Sequence, residues 1–342
     1  MANARAAAKK KKKVVVMGGG TGTFTVLSGL KKYPFDLTAI VAMSDDGGST
    51  GRLRDELGVL PPGDVRQCLV ALSASDRLMR TLMGYRFAEG GLKGHSFGNL
   101  LLSALEKITG SFDKAVEKAS EILRIRGRVV PATLDKVALE AKVGNRTVRG
   151  EDALHHMALN GKLKNLRLRP RGRANPKALQ AIREADAIVI GPGDFYSSLL
   201  PNLLVHGIPE AVRKSRAEKI YVCNLMTKVE HTKGFGVREF AAAIEQYLGG
   251  PVDKVIYNAK APGATLLKRY ARQGDEVVAF DRALPASRFV GADLVSKKIP
   301  SVQKGDALMR TLIRHDPDRL ARVIASLVPS LARRRAKRRI GV

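Results

Sequence analysis

Short apolar runs alternate along this chain with segments whose apolar positions recur every three or four residues. The runs at 13–17, 37–43, 187–191, 219–224 and 252–258 are rich in β-branched residues and read as buried strands. Helical spacing marks 25–32, 64–73, 97–108, 112–123, 176–185, 208–215 and 237–248. Strands alternating with helices predict a parallel, doubly wound α/β sheet with helices on both faces. Between 126 and 173 the pattern changes. Short β-like pieces at 128–133, 137–143, 147–148 and 165–168 are broken by Gly144-Asn145 and Gly150, which predicts a small antiparallel insertion between two halves of the sheet. One α/β domain is expected over 14–328, flanked by basic tails at 1–13 and 329–342.

Ligands of open α/β sheets sit outside the carboxyl ends of the strands, so the residues that follow each run matter most. The first run leads into Gly18-Gly19-Gly20-Thr21-Gly22-Thr23. Glycines there let the backbone turn tightly and present bare N–H groups, backed by a helix dipole, to a phosphate. Gly18 and Gly20 fit a dinucleotide fingerprint, but Thr23 stands where its third glycine belongs. That substitution weakens an NAD(P)-oxidoreductase reading and leaves a phosphate reading intact.

The second run leads into Ser44-Asp45-Asp46-Gly47-Gly48-Ser49-Thr50-Gly51-Arg52. Asp45 or Asp46 can accept ribose hydroxyls, hold Mg²⁺ together with phosphate oxygens, or simply form an Asx turn; Asp46 is the candidate metal ligand. Arg52 and Arg54 are placed to pair with phosphate or to face solvent as helix charges. Gly191-Pro192-Gly193-Asp194 and Asn224-Leu225-Met226-Thr227 follow two later runs, and Gly94-His95-Ser96-Phe97-Gly98-Asn99 opens a helix. His95 is a candidate for proton transfer or phosphate contact, and Asn99 for an amide contact to the ligand. His155, His156 and His206 read as structural and His231 and His315 as surface residues. No Ser/His/Asp or Cys/His arrangement is present to support a nucleophile.

Composition narrows the classes. At 342 residues and 44% hydrophobic the chain can bury a full core. No apolar run approaches the roughly 18 residues of a membrane-spanning helix, and the N-terminus lacks the apolar stretch of a signal peptide. Cys68 and Cys223 lie in apolar stretches and read as core thiols, which suits a reducing cytoplasm. The net charge is +28; six basic residues in each tail leave +16 for the body. Such tails predict at most weak, salt-sensitive polyanion binding, because aromatics are only 5% and Trp is absent.

Taken in order, Gly18-Gly19-Gly20-Thr21-Gly22, Asp45-Asp46-Gly47-Gly48-Ser49-Thr50-Gly51-Arg52-Leu53-Arg54, Pro61-Pro62-Gly63-Asp64, Gly94-His95-Ser96-Phe97-Gly98-Asn99-Leu100, Gly191-Pro192-Gly193-Asp194 and Asn224-Leu225-Met226-Thr227 resemble the CofD-like superfamily, specifically its YvcK-type gluconeogenesis-factor branch. The resemblance runs from about Val14 to about Phe280. It implies a Rossmann-like fold and a cytoplasmic protein that binds a UDP-sugar such as UDP-N-acetylglucosamine, needed for cell shape and peptidoglycan synthesis on gluconeogenic carbon; a homo-oligomer is expected separately. It also admits an alternative: 2-phospho-L-lactate transferase, a Mg²⁺-dependent transfer of lactyl-phosphate to a deazaflavin. The diphosphate is expected over the first glycine loop, with Asp45 or Asp46 near a hydroxyl. The chain departs from the branch after Thr227, where it reads Lys228-Val229-Glu230-His231-Thr232, and in both tails.

Overall fold

In the computed structural model the described residues are 11–155, 157, 163–229, 231–263, 267, 270–272, 274–297 and 312–329. The first strand, β1 (Lys12–Gly18), sets the plan. Its side chains alternate: Val14 and Val16 join one buried cluster, and Val15 and Met17 join the other. A strand apolar on both faces belongs in the middle of a covered sheet. β1 leads through α1 (Gly20–Leu30) to β2 (Phe35–Val41), and then through α2 (Gly48–Leu57), α3 (Gly63–Leu72), α4 (Arg77–Gly84), α5 (Phe97–Thr109) and α6 (Phe112–Ile122) to β3 (Arg128–Pro131).

Next comes the insertion: β4 (Ala138–Val143), β5 (Arg146–Arg149), α7 (Glu151–His155) and β6 (Leu163–Arg169). After α8 (Pro176–Glu184) the chain re-enters the sheet as β7 (Ala187–Ile190). A π-helical turn (Phe195–Leu199), α9 (Leu200–Leu204) and α10 (Ile208–Lys214) precede β8 (Glu218–Val222). α11 (Val237–Leu248) precedes β9 (Lys254–Asn258), and β10 (Phe289–Ala292) and a C-terminal helix (Pro317–Leu327) complete the fold.

The seven-stranded sheet has the order β10-β9-β8-β7-β1-β2-β3, with every pairing parallel. The chain grows outward from β1 to β3, returns, and grows from β7 to β10 on the other side. The strand order therefore reverses between β1 and β7. At that point the loops after neighbouring strands leave toward opposite faces, and a crevice opens. α1, α3, α5, α6 and the C-terminal helix cover one face, while α8, α9, α10 and α11 cover the other together with Leu139, Leu166 and Leu168 of the insertion.

The α/β, doubly wound parallel sheet and the antiparallel insertion stand as expected, with order β5-β4-β6. Residues 128–131 do not belong to the insertion: they pair parallel with β2 as the sheet's edge strand. β1 begins at Lys12, taking in two lysines expected in the tail. Residues 1–10 and 330–342 of the expected tails lie outside the described residues. No described helix is long and apolar enough to cross a membrane. Cys68 and Cys223 are free and buried, as core thiols should be.

Candidate functional site

The loops singled out in the sequence meet along the carboxyl edge of the sheet. At the end of β1 the Gly18 carbonyl accepts the Ala42 amide at 3.0 Å, which ties the first loop to the end of β2. A Cβ on Gly22 would stand 2.0 Å from the Pro192 carbonyl oxygen, so the loops after β1 and β7 touch backbone to backbone. Asn224 Nδ2, after β8, donates to the Gly193 carbonyl at 3.0 Å, and Gly191 takes the left-handed φ of +81° that this turn requires. The absent side chain at Gly18 explains Thr23: a Cβ there would lie 2.4 Å from Thr23 Oγ1, so the room is made on the strand rather than on the helix.

Two helix N-termini open into this edge without a side-chain cap. Gly19 precedes α1 and Gly47 precedes α2, and neither has a side chain to accept the exposed amides. Uncapped amides with the positive end of a helix behind them favour an anion. α1 already meets one. The Asp64 carboxylate, at the start of α3, accepts a hydrogen bond from the Gly20 amide, and a Cβ on Gly19 would fall 2.0 Å from Asp64 Oδ2.

Asp64 belongs to an acidic floor. Asp45 Oδ1 accepts the Gly47 amide at 3.0 Å, the Asx turn expected of Asp before Gly, while Oδ2 faces the start of α3 at Gly63. Glu151, from the insertion, accepts a hydrogen bond from Ser44 at 3.3 Å. Burial pushes the Asp45 and Glu151 carboxyls up, with neighbouring carboxylates adding to it, and burial together with Asp45 lifts Asp64 to about 7. Neither Asp64 nor Glu151 was among the site residues read from the sequence. Asp64 carried a signal, in the Pro61-Pro62-Gly63-Asp64 motif; Glu151 carried none, since only the folded insertion brings it here.

Asp46 faces a different task. Its two oxygens accept the Glu151 and Asp152 amides at 3.1 and 2.9 Å, capping α7 and anchoring the insertion over the second loop. Among the described residues no group of three His, Cys, Asp or Glu is arranged to hold a metal ion. Mg²⁺ asks for less, one or two carboxylates with water and ligand phosphate oxygens. Asp45 and Asp64 are candidates for it alongside Asp46: the Asp45 charge raises the Asp64 carboxyl, whereas both Asp46 oxygens already accept α7 amides.

His95 and Asn99 come together at Ser49, on the first turn of α2. Ser49 Oγ lies 3.2 Å from His95 Nδ1 and accepts from Asn99 Nδ2 at 3.3 Å, and Asn99 Oδ1 accepts from Arg66 at 2.9 Å. His95 and Asn99 are buried, and burial with the nearby Arg52 lowers the His95 pKa, keeping the ring neutral. Arg52 donates to the Lys93 carbonyl at 3.1 Å, and Arg54 holds the Asp45 carbonyl at 2.8 Å. Asp194 caps the π-helical turn through the Tyr196 and Ser197 amides. Thr227 is buried and paired with Glu276, its amide donating to that residue's carbonyl at 2.7 Å and its hydroxyl accepting the Glu276 amide at 3.0 Å.

Two histidines depart from expectation. His231 is buried, edge-on to Tyr196 with ring centroids 5.8 Å apart, and its Nε2 lies 3.2 Å from the Leu154 carbonyl. His315 is buried against the Cys223 backbone, and burial lowers its pKa to about 4. Both are buried, so the surface reading fails for both. His206 lies 2.7 Å from Arg171, and His156 lies outside the described residues. Phe195 packs among Phe235 and Phe240 in the core.

Comparison with known proteins agrees with this architecture. Residues 14–299 match the family model described as 2-phospho-L-lactate transferase CofD. The Gluconeogenesis factor of Bacillus subtilis (strain 168) is 39% identical over 313 residues, 90% of this chain and 96% of that protein. The Gluconeogenesis factor of Halalkalibacterium halodurans is 45% identical over 266 residues, 77% of this chain and 82% of that one. A longer relative from Nostoc sp. (strain PCC 7120) is 44% identical over 310 residues, and the chain spans 66% of its length. A crystal structure of a UPF0052-family protein from Bacillus halodurans superposes with a TM-score of 0.84 at 39% identity, covering 93% of this chain and all of that one.

Proposed function

The chain belongs to the CofD family, alongside its gluconeogenesis factors, and from that premise we propose that it binds a nucleotide sugar such as UDP-N-acetylglucosamine at the carboxyl edge of the sheet. The observation that carries this reading is the meeting of two helix N-termini whose N-cap residues are glycines, α1 being answered only by Asp64, with four Gly-, Asp- and Asn-bearing loops along the carboxyl edge. A diphosphate placed over Gly18, Gly19, Gly20, Thr21, Gly22 and Thr23 takes the position next to the Gly20 amide where the Asp64 carboxylate now sits. Asp45 and Asp64 would hold Mg²⁺, which when bound neutralises phosphate charge; Gly191, Gly193, Asp194 and Asn224 would face the remainder of the ligand.

On this reading the protein is a cytoplasmic regulator of cell shape and peptidoglycan synthesis during gluconeogenic growth. The exposed Leu78 and Ile108 support self-association, which light scattering on the purified chain would measure. Calorimetric titration with UDP-N-acetylglucosamine tests the ligand, with Mg²⁺ and again with a chelator. A saturable heat that weakens on chelation is the expected result; no heat at millimolar ligand would overturn the proposal.

The second reading is a lactyl-phosphate transferase, favoured by the description of the matching family model and by the Asp45–Asp64 pair. Transfer of this kind needs positioning and charge stabilisation more than covalent participation by the protein. It also needs a seat for a flat deazaflavin, and Phe195 is committed to the core. Incubation with donor, deazaflavin acceptor and Mg²⁺ decides between them, since only the transferase yields product. The NAD(P) reading gains no support: Thr23 stands where the third glycine of the fingerprint belongs, and His95 Nδ1 is engaged by Ser49.

A further inference from the structure

The opposite edge of the sheet carries a second concave site of contrary charge. A cleft of about 740 Å³ opens below the amino ends of β1 and β2, lined by Lys11, Lys13, Lys31, Lys32 and Arg126. Tyr33 and Phe35 also line it, as a stacked pair with centroids 5.8 Å apart and planes inclined by 9°. The single carboxylate in the lining, Asp36, is paired with Arg128 at 3.2 Å. Lys13 and Lys32 reach outward to Glu184 and Asp318, each at 2.5 Å. Among the described residues Lys31 Nζ donates only to the Ser73 carbonyl, at 3.3 Å. Among the described residues Lys11 and Arg126 have no carboxylate partner. Burial, and then the charges of Arg80, Arg126 and Lys32, depress the Lys31 pKa, as happens where cations crowd without a counter-anion.

We propose that this amino-edge cleft binds a small, multiply charged phosphate compound through Lys11, Lys31 and Arg126, with Tyr33 and Phe35 forming its apolar wall. The volume falls within the roughly 300–1,000 Å³ of small-ligand pockets. Arg126 supplies a planar fork for phosphate oxygens and the lysines supply point charges. A concave cleft whose cations converge on one spot favours a compact polyphosphate over an extended polymer, which would need a continuous basic track and stacking platforms. The site is separate from the glycine loops: α1 spans the distance, with Gly20 at one edge and Lys31 capping it at the other.

The test is calorimetric titration of the full chain with inorganic tripolyphosphate at about 0.15 M salt. One-to-one binding is expected, weakened about ten-fold or more in Lys31→Gln/Arg126→Gln. Arg126→Gln alone, which alters an exposed side chain, stands in if the double variant does not fold, and should weaken binding about three-fold. Replacing Lys9 and Lys10 by Gln should leave the affinity within about two-fold. Unchanged binding in the Lys31 and Arg126 variants would overturn the proposal, as would loss of binding in the Lys9 and Lys10 variant, which would assign the anion to the tail. Displacement of tripolyphosphate by single-stranded DNA with several phosphates engaged per chain would also overturn it.

Discussion

Gly19 and Gly22 stand three residues apart in one loop, yet their missing side chains serve different ends. A Cβ on Gly22 would lie 2.0 Å from the Pro192 carbonyl oxygen and 2.6 Å from its carbon, and neither backbone can yield without separating the two loops. Gly22→Ala is therefore expected to lower stability by about 1–3 kcal/mol, the range of overpacked cores, as read by the urea midpoint. A Cβ on Gly19 would clash with the carboxylate end of Asp64, at 2.0 Å, and otherwise meet Ser198 Cβ at an ordinary 3.5 Å, and the extended φ of −164° suits any residue. Gly19→Ala should hold stability within about 1 kcal/mol while weakening UDP-N-acetylglucosamine about ten-fold or more, since the new methyl stands where the diphosphate would approach the α1 amides. A variant that unfolds at Gly19, or one at Gly22 that matches the parent in urea, would show that the loop is packed in some other way.

Among the elements, α7 shows how the insertion reaches the site. Its N-terminal amides are satisfied by Asp46, from the loop after β2, through a contact that bridges 105 positions of sequence. Asp46→Ala removes this cap and should cost about 1–2 kcal/mol, with amide exchange accelerating at Glu151 and Asp152 and unaffected in β1. Equal acceleration in both would mean that α7 is not an independently held element. Long reach of this kind marks what the sequence does and does not disclose. β1, β2, β7, β8 and β9 were legible because central strands buried on both faces are near-continuous β-branched runs. β3 and β10 are four-residue edge strands with two apolar residues or a glycine among them, too short for any period to register, and β3 was consequently read into the insertion. The C-terminal helix offered Asp316 before Pro317, a sound N-cap signal, and passed unread. The glycine loops were legible because bare turns after strands have a local signature. Asp64 and Glu151 join Asp45 only through the packing of α3 and the fold-back of the insertion, and no local pattern encodes that.

Taken whole, the chain is strongly basic, at +28, and its folded body gathers partly buried acids at one edge of its sheet and cations at the other. This segregation gives its pH dependence a definite sign. The Asp64 carboxyl has an ordinary value of 3.8 when unfolded and about 7 when folded, raised by burial and by Asp45. Across that window the folded chain binds more protons than the unfolded one, so raising the pH withdraws stability from this group, beginning near 4 and ending just above 7. The excess of basic charge works in the other direction, because self-repulsion eases as the pH rises. The two effects separate in the difference between the parent and Asp64→Asn, which keeps the shape of the side chain and removes its titration. With a chelator and no ligand present, the variant is expected to gain in melting temperature relative to the parent as the pH goes from 5 to 8. The gap should open mainly between about pH 5 and 7 and stay level above that. A gap that is constant over the range would mean that Asp64 is as well solvated as an ordinary surface carboxylate, and the acidic floor would lose its claim to a cation.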